Sequence, residues 1–427
     1  MMDLEIVTVG TELLLGVTSD TNASEIAGAL TQVGARVVRR VTVPDDRAAI
    51  SEAVEQALDR TGVAIVTGGL GPTPDDLTRE SVAGIFSLPL ELDSGLLAAL
   101  EERFAELGRG PMPVSNRSQA EVPKGATVLP NPTGTAPGLW IEQGNRLVIL
   151  LPGVPSEMRA LLDRQVLPRI RTRMAADGED GAVVASRTLR TTGIAESALA
   201  DRLADATTQL GAVQLAFLPT LRGVDLRLTV VEAPEPATAA LDRAEAVLAP
   251  RLSRHWYGCG EEDLAVIVVD RLRSEGARLA VAESCTGGLI GVRVTENAGA
   301  SDVFAGGVIC YGDRAKISEL GVPAEVIERE GAVSEAVVRA MIQGSAERFG
   351  VEAVVAVTGI AGPGGERPGK PVGTVWLGAR FRGSERAVKR WFPGGRHDVR
   401  ERSAQAGLDL LRRLIDEPDG EVRTPIR

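Results

Sequence analysis

Short apolar runs alternate with longer amphipathic segments at the start of this 427-residue chain. Residues 4–9, 35–43 and 63–67 are strand-like, and residues 22–34 and 47–61 have the apolar spacing typical of helices. This βαβαβ order predicts an α/β fold, with a mainly parallel sheet that carries helices on both faces. Ligands of such sheets bind beyond the carboxyl ends of the strands.

The composition restricts the partners that we expect. The net charge of −11 at pH 7 provides no global basic field, so neither nucleic acid nor an anionic membrane is expected to bind. No apolar run approaches the ~20 residues that span a bilayer, and the first residues lack the basic region of a signal peptide. The three cysteines (Cys259, Cys285 and Cys310) lack metal-ligand spacing. A reducing, cytoplasmic location is therefore expected.

The chain divides into three predicted domains. A small polar linker covers residues 175–181, and a second linker is predicted at residues 255–260. We expect a doubly wound α/β domain at residues 1–173, a small α+β domain at residues 174–254, and a second α/β domain at residues 260–420. The middle domain shows a β-α-β-β-α order.

A serine in the last region lies between a strand and a helix. The strand-like residues 278–282 lead into Glu-Ser-Cys-Thr-Gly-Gly at residues 283–288, and an apolar segment follows. This places Ser284 at a strand-to-helix turn, near backbone N–H groups that have no partner inside the helix. Such groups can stabilise an oxyanion. Alternatively, Ser284 is only the N-cap of the helix.

A serine nucleophile in this chain has few possible bases. There are only two histidines, His255 and His397, and only four of the 47 basic residues are lysines. A neutral lysine can take the proton of a serine, whereas arginine stays protonated. Lys316, the first lysine after Ser284, is the candidate base.

Five motifs in the last region occur together and in order: residues 282–288, 307–311, 331–334, 357–365 and 370–375. With Lys316 they resemble the C-terminal domain of the CinA family, the nicotinamide-nucleotide amidases, over about residues 263–414. The resemblance implies hydrolysis of the carboxamide of nicotinamide mononucleotide to nicotinate mononucleotide and ammonia, without a cofactor. It departs from the family at 312–313, where Gly-Asp replaces the usual Ser-Asn.

The resemblance also implies roles for single residues. Ser284 would be the nucleophile, Lys316 its base, and Tyr311 and Thr358 would support the pair and the substrate. The backbone after Ser284 would supply the oxyanion donors. The candidate substrate contacts are Thr286, Gly287, Gly288, Gly359 and Gly362, with Arg396 or Arg400 for the phosphate, since arginine suits phosphate.

Two alternatives concern single residues of this site. Thr358 is also readable as a strand-end hydroxyl with a structural role. Cys285 is either an alternative nucleophile or a small buried residue.

The first region contains a glycine-rich strand exit, residues 67–78, that ends in paired carboxylates. The glycines permit close approach of backbone to phosphate, and Asp75 and Asp76 could hold Mg²⁺. They could also merely cap the following helix. The candidate substrate contacts are Gly69, Gly71, Thr73, Gly134 and Thr135.

Five segments of the first region resemble the molybdopterin-binding domain of molybdenum-cofactor biosynthesis proteins: residues 10–14, 20–22, 67–78, 131–138 and 151–158. The version is the one found in the N-terminal half of CinA proteins, and the likeness covers about residues 3–173. It implies cleavage of the ADP-ribose pyrophosphate with a divalent metal, rather than pterin adenylation. The available carboxylates are Asp20, Asp45, Asp75, Asp76 and Glu157, of which Asp76 and then Asp75 rank first.

The middle domain is loosely KH-like, which the CinA resemblance also implies. It lacks a Gly-x-x-Gly loop with flanking basic residues, which an RNA-binding KH module needs. A spacer or oligomerisation role is favoured, and a homodimer is expected from the resemblance.

Three readings compete with a two-activity enzyme of pyridine nucleotide recycling. The first is a pterin-binding molybdenum-cofactor enzyme. The second is a non-enzymatic accessory protein in competence or recombination, which the family name suggests. The third is an enzyme in which only one of the two domains is active.

Overall fold

The computed structural model describes residues 2–106, 110–176 and 183–417. These residues form two compact units. The first lies within Met1–Ala185 and Val230–Ala239, and the second within Ser186–Thr229 and Ala240–Arg427. No helix of the described residues is both long enough and apolar enough to cross a bilayer.

The first domain is a six-stranded sheet with helices on both faces. In chain order its elements are β1 (Asp3–Val9), α1 (Thr11–Leu14), α2 (Asn22–Gln32), β2 (Arg36–Val43), α3 (Arg47–Thr61), β3 (Val63–Thr67), α4 (Thr78–Ile85), β4 (Leu90–Leu92), α5 (Ser94–Glu106), β5 (Glu121–Pro123), β6 (Thr127–Leu129), β7 (Gly138–Gln143), β8 (Arg146–Leu151), α6 (Pro155–Leu161) and α7 (Leu167–Ala176). The strand order is β2-β1-β3-β8-β7-β6, and β4 pairs separately with β5.

Side chains alternate between the two faces of this sheet. On β1, Leu4 and Ile6 pack with α2, while Val7 and Val9 pack with α3 on the other face. This two-residue period is expected of a strand that is covered on both sides. Full burial of a leucine or isoleucine side chain contributes about 1.5–3 kcal/mol. The predicted doubly wound α/β fold is confirmed.

The loops of the first domain converge at one edge of its sheet. Strands β2, β1, β3 and β8 are parallel, with Thr8 opposite Thr67 and Thr67 opposite Leu151. Their following loops therefore begin side by side. Because β7 is antiparallel to β8, with Leu139 opposite Leu150, residues 130–137 reach the same edge.

The middle domain has a four-stranded sheet in the order β10-β11-β9-β12. Its elements are β9 (Val183–Thr191), α8 (Glu196–Thr207), β10 (Gln214–Pro219), β11 (Val224–Glu232), α9 (Pro234–Leu252) and β12 (Trp256–Cys259). The prediction of a linker at residues 255–260 is wrong, because Trp256 pairs with Thr191 and residues 256–259 extend the sheet. The glycines at 258 and 260 suggested a linker, but pairing with a neighbouring strand outweighed that local preference.

Of the linker predicted at residues 175–181, the first two residues end α7 and the others lie outside the described residues.

The last domain is a second three-layered α/β structure. Its elements are α10 (Leu264–Ser274), β13 (Leu279–Glu283), α11 (Leu289–Thr295), β14 (Phe304–Ile309), α12 (Asp313–Leu320), α13 (Ala324–Glu330), α14 (Glu335–Phe349), β15 (Ala353–Gly359), β16 (Thr374–Phe381), β17 (Ser384–Trp391) and α15 (Arg396–Asp416). The strand order is β14-β13-β15-β16-β17. Strands β14, β13 and β15 are parallel to one another, β16 is antiparallel to β15, and β17 is antiparallel to β16.

The central strand β13 is covered on both faces. Leu279 and Val281 pack in one core cluster with α10 and α15, while Ala280 and Ala282 pack in another with α14. The strand therefore ends, at Glu283, between two rigid layers. This fixes the start of the chain segment that carries Ser284.

Candidate active sites

The segment 284–288, called the nucleophile loop here, joins β13 to α11. Ser284 N donates to Val357 O at 2.9 Å, and Gly287 N donates back to Ser284 O at 3.0 Å. Gly287 and Gly288 have φ of 62° and 94°, a left-handed conformation that favours glycine. The loop is thus a tight turn, and Ser284 stays on its inner side with 6% of its surface exposed.

Lys316 lies against Ser284. Its Nζ is 3.3 Å from Ser284 Oγ, 3.1 Å from Cys310 O and 3.3 Å from Tyr311 O. Lys316 is 1% exposed, and the exposed carboxylate of Asp313 is 3.7 Å away. Burial of an amine is costly unless its polar atoms are satisfied. The structure therefore brings together the predicted nucleophile and the predicted base, with two carbonyl groups that orient the amine.

Close packing of α12 on α14 contributes to burying Lys316. A Cβ at Gly344 of α14 would lie 1.9 Å from Leu320 O at the end of α12. Only glycine allows this approach of the two helices. Sequence reasoning predicted no helix around Lys316, so this support was not foreseen.

Glu283 accepts hydrogen bonds from backbone N–H groups at the start of α11 that were expected to have no partner. Its buried carboxylate accepts from Gly288 N at 3.0 Å, Ile290 N at 3.1 Å and Gly291 N at 2.8 Å. Of the described residues, none offers an oxygen acceptor to the N–H groups of Cys285 and Thr286. Those two N–H groups, rather than those of the first turn of α11, are therefore the unpaired backbone donors next to Ser284 in the described structure. The sequence signal for Glu283 was a carboxylate between a buried strand and a glycine turn, and it was missed.

The predicted contacts Thr286 and Arg400 meet at the nucleophile loop. Arg400 donates to Thr286 O from Nη2 at 2.9 Å and from Nε at 3.2 Å. Thr286 is fully buried, and its Oγ1 has no partner in the described part of the chain. Arg400 therefore holds the loop backbone.

The second candidate arginine connects two other predicted residues. Arg396 donates to Gly362 O at 2.8 Å and to the hydroxyl of Tyr311. Tyr311 is 55% exposed, and only its backbone carbonyl contacts Lys316. The structure thus places the Tyr311 hydroxyl with Arg396 rather than with the Ser284–Lys316 pair.

Thr358 and Gly359 lie behind the nucleophile loop. The buried Thr358 hydroxyl donates to Ala332 O at 2.8 Å, which fixes the segment before α14. A Cβ at Gly359 would lie 2.7 Å from Val375 Cγ2 and 3.0 Å from Cys285 Sγ. Both residues therefore shape the site through packing and hydrogen bonding.

The cysteines of this region are poor nucleophiles. Burial raises the pKa of the Cys285 thiol to about 12 and that of the Cys310 thiol to about 11. Both stay protonated at neutral pH, and the thiolate is the reactive form. This geometry disfavours Cys285 as the nucleophile.

The second candidate site is the glycine loop at residues 68–76, which follows β3. Gly68 and Gly69 have φ of 106° and 67°. A Cβ at Gly68 would lie 2.2 Å from Val9 O, and one at Gly69 would lie 2.2 Å from Thr78 Oγ1. Glycine is therefore required where this loop passes the last residue of β1 and the first residue of α4.

Asp76 holds the glycine loop together. Its carboxylate accepts from Gly71 N at 2.7 Å, from Thr73 N at 2.8 Å and from the Thr73 hydroxyl. The idea that the paired aspartates cap the next helix is not supported, because Leu77 is the N-cap of α4 and no side chain caps it. Asp75 is exposed, and the proximity of the Thr73 side chain lowers the pKa of its carboxyl group.

Residues 130–137, called the Asn131 loop here, lie at the same edge and contact Glu157 of α6. Asn131 Oδ1 accepts from Gly134 N at 3.0 Å, and Asn131 Nδ2 donates to Glu157 Oε2 at 2.6 Å. A Cβ at Gly134 would lie 1.9 Å from Glu157 Cδ. Burial raises the pKa of Glu157. Thr135 is half-buried in this loop.

The carboxylates of this site do not form a ready-made metal cage. Among the described residues, no three His, Cys, Asp or Glu side chains cluster as metal ligands. Asp20 accepts from Ala23 N and Thr8 Oγ1, and Asp45 accepts from Thr11 N. Mg²⁺ often uses only one or two carboxylates together with substrate phosphates and water. The exposed Asp75 fits that mode of binding.

Three family models match the chain in succession. The "Probable molybdopterin binding domain" matches residues 5–172, the "Damage-inducible protein CinA KH domain" residues 186–258, and the "CinA C-terminal domain" residues 261–415. The protein therefore belongs to a class in which a molybdopterin-binding-type α/β domain is followed by a KH domain and a CinA C-terminal domain. This combination indicates an enzyme.

Relatives that match over nearly their whole length are named after CinA, as two of the family models are. A "CinA-like protein" of Gemmatimonas aurantiaca is 49% identical over 422 residues, 98% of each chain. One of Salinibacter ruber is 41% identical over 416 residues, 97% of this chain and all of that protein. The chain belongs to the CinA family.

Among solved structures, that of "the protein CinA with unknown function from Thermoplasma acidophilum" is 36% identical and covers 41% of this chain and 96% of its own, with a TM-score of 0.35.

Proposed function

We propose that the C-terminal domain hydrolyses the carboxamide of nicotinamide mononucleotide, releasing ammonia and nicotinate mononucleotide. The observation that carries the proposal is the 3.3 Å contact between Lys316 Nζ and Ser284 Oγ, together with two carbonyl acceptors around the amine. The family match over residues 261–415 supports it.

The reaction that we propose requires the neutral form of the Lys316 amine. A neutral amine has two N–H groups and one lone pair. If its N–H groups donate to Cys310 O and Tyr311 O, the lone pair faces the Ser284 hydroxyl and can take its proton. Such proton transfer in the transition state contributes about 10²–10⁴-fold to a rate.

The reaction would proceed in two halves. Ser284 Oγ attacks the carboxamide carbon as Lys316 takes the hydroxyl proton, and the Cys285 and Thr286 N–H groups stabilise the oxyanion. Lys316 then gives the proton to the leaving nitrogen, and ammonia departs. A water molecule, deprotonated by Lys316, hydrolyses the resulting ester and restores Ser284.

For the substrate phosphate we favour Arg396 over Arg400. Arg396 is exposed beside Tyr311, whereas the half-buried Arg400 donates from two nitrogens to Thr286 O. Arginine suits phosphate, and the exposed guanidinium is the one that a substrate phosphate can reach.

The test is release of ammonia and nicotinate mononucleotide by wild type, Ser284→Ala and Lys316→Ala. Lys389→Ala is the matched control, because Lys389 is an exposed lysine of the same domain. We expect both site variants to lose at least about 10²-fold in kcat and the control to be unchanged. A folded wild type without turnover would contradict the proposal.

For the N-terminal domain we propose hydrolysis of the ADP-ribose pyrophosphate with a divalent metal such as Mg²⁺. The supporting observation is that the glycine loop, with exposed Asp75, and the Asn131 loop converge at the carboxyl edge of the sheet. Asp75 would hold the metal with substrate phosphate oxygens, and the bound metal would neutralise phosphate charge. Asp76 would keep the loop backbone in place.

The products would be AMP and ribose 5-phosphate, measured with Mg²⁺ and after chelation. Asp75→Asn should lose activity, while Asp163→Asn, at an exposed aspartate of the same domain, should not. Pterin binding without ADP-ribose cleavage would favour the molybdenum-cofactor reading instead. Separate assays of the two activities also decide whether only one domain is active.

We further propose that the chain acts as a homodimer on small nucleotides and not on nucleic acid. Light scattering tests the oligomeric state. A DNA titration across salt concentrations tests the accessory-protein reading, since direct contact with phosphates would give strongly salt-dependent affinity.

A further inference from the structure

The middle domain presents one arginine to the C-terminal domain from a rigid hairpin. Arg222 lies in the turn between β10 and β11. Its N–H donates to Thr220 Oγ1 at 3.1 Å, and its carbonyl accepts from Thr192 Oγ1 at 2.8 Å. A Cβ at the next residue, Gly223, would lie 1.9 Å from Thr191 O, so the turn is pressed onto β9.

The Arg222 guanidinium joins two helices of the C-terminal domain. It donates to Asp263 Oδ2, and its Nε is 3.3 Å from Glu401 Oε2. Asp263 is the N-cap of α10, where it accepts from Ala265 N at 2.8 Å, and Glu401 lies on α15. All these residues belong to the same compact unit.

A first chain of contacts leads from Asp263 to the helix after the nucleophile loop. Asp263 Oδ1 accepts from Arg293 Nη2 at 2.7 Å and from Nε at 3.2 Å. Arg293 belongs to α11 and is 2% exposed. The position of α11 is therefore tied to the carboxylate that Arg222 also holds.

A second chain of contacts leads along α15. Glu401 follows Arg400, the residue that donates to Thr286 O from two nitrogens. Arg222 thus contacts a neighbour of each support of the nucleophile loop: Asp263, which holds Arg293 of α11, and Glu401, which follows Arg400 on α15.

We propose that Arg222 is a positioning residue for Ser284 and for the Cys285 and Thr286 N–H groups, and that holding them is a function of the middle domain. The inference rests on Ser284 being the nucleophile of the proposed amidase. Oxyanion donors act only when they are already in place, and misplacement by 1 Å can cost about 10²-fold. Arg222 is partly exposed, and Asp263 retains Arg293 as a partner without it, so the fold is expected to survive its removal.

The test measures two rates in the full-length chain: release of ammonia from nicotinamide mononucleotide, and labelling of Ser284 by a fluorophosphonate probe. Arg222→Ala should lower kcat and the labelling rate by about tenfold, with KM within about twofold. Arg222→Lys should recover part of both rates, because an ammonium keeps the charge without reaching both carboxylates as a fork does. Glu401→Gln, which weakens only the second chain of contacts by removing its charge, should give a smaller loss.

Arg227→Ala is the matched control, since Arg227 is an exposed arginine on β11 of the same hairpin. Thermal unfolding of every variant is followed alongside. Wild-type rates in Arg222→Ala, or an equal loss in Arg227→Ala, would overturn the inference. Labelling of Ser284 without ammonia release would refute the proposed substrate but leave the comparison of labelling rates valid. No labelling of wild type would overturn both the proposed amidase and the role of Arg222.

Discussion

The two candidate sites differ in how much of their chemistry is assembled by the chain itself. In the C-terminal domain a hydroxyl and an amine are buried 3.3 Å apart, and carbonyl groups orient the amine. In the N-terminal domain the exposed Asp75 lies on a loop whose shape is set by Asp76, and no metal-binding cluster forms within the described ranges. The side chains of the first site are already in contact, whereas the proposed metal site would also take ligands from substrate phosphate or water.

Carboxylates nevertheless do the same structural work in both sites. Glu283 accepts from three backbone N–H groups and Asp76 from two. A carboxylate that accepts from backbone N–H groups fixes the conformation of a loop. Such charge-assisted hydrogen bonds are stronger than neutral ones. The two sites therefore differ in their reactive groups and not in how their loops are held. Substitution of the loop carboxylates tests this comparison.

The largest effect is expected for Glu283→Gln. Glutamine keeps the size but has one acceptor oxygen, so at least one buried N–H at the start of α11 loses its partner, at a cost of about 1–3 kcal/mol in unfolding free energy. Because the same turn carries Ser284, amidase kcat should fall by about 10²-fold. Denaturant unfolding and ammonia release measure the two effects.

Glu296→Gln is the matched control for that variant, at an exposed glutamate just after α11. Full activity in a destabilised Glu283→Gln would show that the nucleophile loop does not depend on its carboxylate.

A smaller and domain-specific loss is expected for Asp76→Asn. The Gly71 and Thr73 N–H groups would share a single acceptor oxygen at a partly exposed position, and the glycine loop should loosen at a cost of about 0.5–1.5 kcal/mol. Cleavage of ADP-ribose should fall while amide hydrolysis in the same preparation stays unchanged. Loss of both activities together would contradict the view that the two sites are independently built.

Cys285→Ala should change amidase activity by less than about threefold. The thiol is buried, and its raised pKa of about 12 keeps it protonated at neutral pH. Replacement leaves only a small cavity beside Gly359. Ammonia release compared with that of Ser284→Ala checks this, and a Cys285→Ala variant as inactive as Ser284→Ala would reassign the nucleophile.

The ends of strands could be predicted from sequence far better than the partners of side chains. The strand at residues 63–67 and the helix at residues 47–61 agree with the structure because their periodicity is local. The helix around Lys316 was missed, and its close contact with Gly344 of α14 is a tertiary feature that local periodicity does not reveal.

Side-chain roles in the site followed the same division. Ser284 and Lys316 could be paired because the chain offers few bases. The contacts of Arg396 and Arg400 with Gly362 O and Thr286 O could not be predicted, because backbone carbonyls carry no signal in the sequence.

The smallest effect concerns Glu157 and its dependence on pH. Burial raises the pKa of Glu157 in the folded state, so its contribution to stability is complete below its ordinary value of about 4.5 and is lost as pH rises through the folded pKa. Glu157→Gln does not titrate, and its amide oxygen can still accept from Asn131. The unfolding free energy of the variant relative to wild type should therefore increase from pH 4.5 towards neutrality. Urea unfolding at several pH values measures this difference, and a difference that falls with rising pH would mean that the Glu157 charge is stabilised in the folded site.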